Sequence, residues 1–162
     1  MRKILIFITL FLSHSAAIAC SFAPGYDEFL PSPLYKNKNH PLAIPKASVE
    51  SIKRGYDDGN GGSCSDAGII KIKFGNENPV KATGYKLKIV SGTFGSHVIP
   101  DYEVMPPRYN PSENSMFFVW LDGSYNNQEK IDFVLQIIAV SPEGEESEPY
   151  NLKIQHAGGK SN

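Results

Sequence analysis

A chain of 162 residues has room for one self-sufficient hydrophobic core. Its formal charge of −1 gives no bulk attraction for nucleic acid, which excludes that partner class on electrostatic grounds. Glycine and proline are spread along the chain among plentiful tyrosine and phenylalanine, a composition that suits short strands joined by turns, and no internal repeat or low-complexity tract interrupts it.

The chain opens with Arg2 and Lys3, an apolar run over residues 4–12, and then Ala17, Ile18 and Ala19. These are the basic, hydrophobic and small-residue parts of a secretory signal peptide, expected over residues 1–19. The run is short of the roughly 20 residues that a bilayer-spanning helix needs, and no later segment is apolar enough to span. Cleavage after Ala19 removes two bases and no acid, which takes the formal charge from −1 to −3. The expected location is therefore exported, periplasmic or secreted.

Two cysteines follow, Cys20 and Cys64. An even count in an exported chain predicts a disulfide between them, stapling the N-terminal segment to the domain. The alternative is that residues 17–20 form a lipobox, with Cys20 lipidated and Cys64 unpaired. Membrane association, as an envelope lipoprotein with a structural role, belongs only to that second case.

Residues 20–45 carry Pro24, Pro31, Pro33, Pro41 and Pro45, a spacing that leaves no room for a helix or a central strand. Phe22, Tyr26, Phe29 and Tyr35 predict that part of this extended arm packs on the domain, because a solvated linker carries fewer aromatics. A β-domain is expected over residues 46–156, with a disordered tail over 157–162.

Its first strand falls within residues 46–56, around Val49 and Ile52. The loop that follows, residues 57–66, offers Asp57, Asp58, Asn60 and Asp66 as oxygen ligands for a calcium-dependent binding module. Its spacing does not match an EF-hand, and Asp, Asn and Gly are equally the residues that make turns. Residues 67–74 alternate Ile70, Ile72 and Phe74 against Lys71 and Lys73, and residues 82–90 alternate Tyr85, Leu87 and Ile89 against Lys86 and Lys88. Both read as strands with one wet face. Prolines 100, 106 and 107 leave only residues 102–105 as an edge strand. Residues 115–121, SMFFVWL, are apolar on both faces and predict a central strand or one whose outer face is covered.

The clearest signal lies at residues 130–154. Phe133, Leu135, Ile137 and Ala139 alternate, Ser141, Pro142, Glu143 and Gly144 supply a turn, and Tyr150, Leu152 and Ile154 alternate in the return strand. About seven short strands without a helical pattern predict an all-β, antiparallel sandwich. The run from Phe133 through Ala139 and Val140, with Gly144, Ser147 and Pro149 after it, resembles the last two strands of a fibronectin type III domain. Phe133 stands where that family has tyrosine, so the similarity is to a divergent member or a related immunoglobulin-like sandwich. The resemblance implies that the Lys71/Lys73 strand and the Lys86/Lys88 strand lie in different sheets and form no joint basic patch.

With the odd-numbered row of residues 133–139 inside, Val134, Ile138 and Val140 face outward. Phe118 and Trp120 form one of two apolar rows on their strand. These five residues are the expected protein-contact surface, unless the aromatic arm covers them. After residue 19 only His40, His97 and His156 remain, and no nucleophile, metal or cofactor motif accompanies them. The expected activity is therefore non-enzymatic, a binding or accessory role exerted through contact with a protein partner.

Overall fold

Alternation of large apolar and lysine side chains makes one strand face dry and the other wet, and pairs of such strands gain stability only by closing their dry faces on each other. The computed structural model describes residues 25–32, 42–60, 63–79, 82–95, 97–109, 113–122 and 128–158. Eight strands run through them: β1 (Asp27–Glu28), β2 (Ala47–Lys53), β3 (Ala67–Phe74), β4 (Gly84–Thr93), β5 (Val104–Met105), β6 (Ser115–Leu121), β7 (Ile131–Val140) and β8 (Tyr150–His156). All pairs are antiparallel. They form a five-stranded sheet in the order β1-β5-β4-β7-β8 and a three-stranded sheet in the order β2-β3-β6. The architecture is an all-β sandwich.

The core lies between the sheets. From β3 come Ile70, Ile72 and Phe74, from β6 Met116 and Phe118, and from β7 Phe133, Leu135, Ile137 and Ala139, all buried. Tyr85 of β4 stacks on Phe74 at 4.3 Å between ring centroids, and burial pushes its phenol up to about 12. The hydroxyl of Tyr150 on β8 donates to the Ala47 carbonyl on β2 at 3.1 Å, tying the sheets together along one side.

The closing hairpin follows the pattern expected for residues 130–154. Ser141 accepts from the Gly144 N–H at 2.9 Å, and Gly144 takes φ +88°, a conformation that costs glycine nothing. Two expectations are corrected. Residues 104–105 do not form an edge, because β1 pairs with β5 and takes the edge itself. The β6 strand, in turn, is not central but outermost in its sheet. The arm bridges its edge at Gly25 opposite Phe117.

The arm is thus part of the fold where it is described. Phe29 donates its N–H to Glu103 O at 2.9 Å, and its ring joins Met105 and Val140 in a small cluster on the outside of the five-stranded sheet. Gly84, opposite Val140 in register, leaves the space that the ring fills; a Cβ there would strike it. The expected signal peptide (1–19), Cys20, and most of the tail lie outside the described residues. No helix among the described residues is long and apolar enough to cross a membrane.

Candidate functional site

The two rows of β6 are sorted by register. Met116, Phe118 and Trp120 point inward, and Phe117, Val119 and Leu121 stand on the outer face beside Lys71, Ile69 and Ala67 of β3. Gly68 faces Trp120 across the pair and has no Cβ, which leaves room for the indole. Trp120 then meets Phe94 edge-on at 5.1 Å, and Phe94 stacks on Phe133 at 5.0 Å.

Phe118 and Trp120 were the expected contact row, and the structure corrects this. Phe118 is 1% exposed, and Trp120 packs against the core. Val140 is also withdrawn, covered by Phe29 and Met105. Val134 and Ile138 remain half-buried on the outer face of the five-stranded sheet.

The outer row of β6 has the stronger claim. Ile69, Phe117, Pro107 and Tyr109 line a groove of about 350 Å³ on the three-stranded sheet, with Lys53, Lys71 and Glu113 among its polar lining. Tyr109 is 62% exposed and Leu121 80%. Lys71 is held by Glu50 at 3.1 Å and Glu113 at 2.9 Å, and these bonds, Glu113's first, raise its pKa. Lys86 in the other sheet pairs with Glu146 and Glu103. Lys71 and Lys86 are thus each paired with acids, and the two lysine strands lie in different sheets and form no joint basic patch.

One end of the sandwich carries a polar knot that sequence reading missed. Arg54, just after β2, donates through Nε and Nη2 to both carboxylate oxygens of Asp122, just after β6, each at 2.7 Å. These side chains are 9% and 3% exposed. The Gly55 N–H at 2.8 Å and the Trp120 indole N–H at 3.0 Å also reach Asp122. Burial alone pushes the Asp122 carboxyl up, but the donors led by Arg54 outweigh it and hold the group below its ordinary range. The remaining Arg54 nitrogen donates to Glu129 O at 3.0 Å and stands 3.3 Å from His156 Nδ1. No local spacing links Arg54 to Asp122, which lie 68 positions apart. The knot borders a cleft of about 350 Å³ shared with Phe94 and Trp120. Its acid and base neutralise each other, an arrangement that fixes a strand end.

The acidic loop is likewise occupied with itself. Asp57 accepts from the Gly59 N–H, and Asp58 accepts from the Asn60 N–H and from the Ser63 and Ser65 hydroxyls. Asp66 accepts from the Ser63 N–H, completing a capping box on the 3-10 turn Cys64–Asp66. Donation by Ser65, then by the Asn60 N–H, lowers the Asp58 pKa. Asp57, Asp58, Asn60 and Asp66 are therefore a self-bonded turn, and among the described residues no group of three or more His, Cys, Asp or Glu side chains is arranged to hold a metal. No free cysteine occurs among the described residues.

No family model matches the chain, and no curated protein matches it. Among solved structures, the catalytic module of the metalloprotease ZmpA from Clostridium perfringens is matched at 17% identity, over 74% of this chain and 17% of that one, with a TM-score of 0.29. The chain thus spans about one sixth of that protein's length.

Proposed function

We propose that this protein is an exported, non-enzymatic binding or accessory domain, periplasmic or secreted, that acts through protein contact. The observation that carries this reading is the groove over Ile69 and Phe117, continued along β6 by Val119 and the exposed Leu121. Apolar side chains left in water beside a preformed groove are the usual mark of a partner site. The opposite sheet supports the choice of face, because there the arm already covers Val140.

A fibronectin type III-like identity is part of the same proposal. Its support is the hairpin β7–β8 and the placing of β3 and β4 in different sheets, as the resemblance implies. A disulfide between Cys20 and Cys64 is proposed as well, in keeping with the lack of a free cysteine among the described residues. Its formation passes two electrons and two protons to an oxidised thiol reagent of the export compartment.

The test is capture of partners from the cell's own envelope extract by the mature chain and by a variant carrying Tyr109→Ser and Leu121→Ser. Exposed substitutions of this kind shift stability by about 0.5 kcal/mol or less, so the fold is retained. The expected result is a set of proteins held by the native surface and lost with the variant at unchanged Tm. Capture of the same proteins by both would overturn the assignment of this face. Intact mass of the exported chain separates the two fates of Cys20: loss of two hydrogens marks the disulfide, and a diacylglycerol-sized gain marks the lipoprotein.

A further inference from the structure

The groove over Ile69 and Phe117 has a charge pattern that narrows what it can hold. Register places Lys53 of β2 opposite Ile69 of β3, and the next row of the outer face runs Ser51, Lys71, Phe117. Three lysines stand on this face, and their charges are spent differently. Lys71 is closed by Glu50 and Glu113. Among the described residues no carboxylate holds Lys53 or Lys73. Of these two, Lys53 lines the groove and Lys73 stands outside it. The floor beside Lys53 is apolar, and a Cβ at position 25 would strike the Phe117 ring, so glycine there lets the ring keep its place.

A partner side chain seated on Ile69 and Phe117 strips water from the neighbouring Lys53 ammonium. A neutral partner leaves that charge uncompensated and a basic one repels it, whereas a carboxylate restores what the lost water supplied. The groove's volume of about 350 Å³ lies at the small end of preformed sites and suits a side chain or two of an extended segment. Phe117 and Lys53 stand two strands apart, about 10 Å, which is the span of about three extended residues. On the reading of this groove as the partner site, we propose that it takes an acidic, extended segment of a partner protein. One large apolar side chain sits over Phe117 beside Tyr109, and a carboxylate about three residues away meets Lys53.

Selection of a random-peptide display library on the mature chain tests this, with the chain carrying Tyr109→Ser and Leu121→Ser as the counter-selection. The expected peptides pair an aromatic or large aliphatic residue with Asp or Glu about three positions away. In a synthetic peptide of this kind, replacing the acid by its amide is expected to raise Kd about two- to fivefold, the range of one exposed ion pair. On Lys53→Gln the acid and amide peptides are expected to bind alike, and on Lys73→Gln the difference is expected to persist. Lys53 and Lys73 are both exposed, so these variants keep the fold. Peptides with no preference for an acid, or an acid whose effect survives Lys53→Gln, overturn the acidic segment and leave the groove as a partner site. If no peptide separates the native chain from the counter-selected one, both readings fall. Self-association of the mature chain that Lys53→Gln abolishes gives the groove to a second copy and overturns the proposal.

Discussion

At residue scale, Asp122 holds more of the fold than its place in a polar loop suggests. Four N–H donors converge on a carboxylate that is almost wholly buried, and removing it strands the Arg54 guanidinium in the same environment. Asp122→Ala is expected to cost about 3–5 kcal/mol, the usual range for orphaning a buried charge. Thermal melting measures the loss, and the fluorescence of Trp120, the single tryptophan, reports the local change. The pH dependence follows from the same contacts. A carboxyl depressed below its ordinary 3.8 contributes fully above that value, and its contribution is lost as the pH falls from there through the lower native pKa. Native Tm should therefore drop below about pH 4 more steeply than that of Asp122→Asn. Asp57, Asp58 and Asp66, whose oxygens are taken up by the loop's own donors, predict that neither calcium nor chelator moves the Tm. A shift of several degrees with added calcium would restore the binding reading.

At the scale of single elements, β6 and β7 show how far periodicity carries. In β7 every second residue from Ile131 to Ala139 is apolar, and burial follows that alternation until Val140, which the arm covers. In β6 both rows are apolar, and pattern alone gives no way to choose between them; Gly68 opposite Trp120 leaves the room that the inward row needs. The short strand β1 carries no periodic signal at two residues, so its pairing with β5 had to be found in space. Its neighbour Phe29 is anchored by the gap at Gly84, which gives a direct test. Gly84→Val forces the ring out at a cost of about 1–3 kcal/mol, the range for overpacking. Limited proteolysis should then cut residues 25–32 earlier than in the native chain, with the hairpin β7–β8 still protected.

Across the whole molecule the sheets are joined by their shared core, by Tyr150 reaching Ala47, and by the arm, which crosses from the β6 edge to the outside of the opposite sheet. Loss of the Tyr150 hydroxyl in Tyr150→Phe removes one neutral, part-buried hydrogen bond and is expected to lower stability by about 1 kcal/mol, measured by denaturant unfolding. The sequence by itself determined the all-β class, the bounds of β3 and β6, and the inward row of β7, because each rests on alternation within a few consecutive residues. Tertiary structure alone decided which row of β6 faces water, that the arm supplies a strand, and that Arg54 closes on Asp122. Each of these depends on residues far apart in the chain meeting across a sheet, and no local pattern records a partner that only folding brings near.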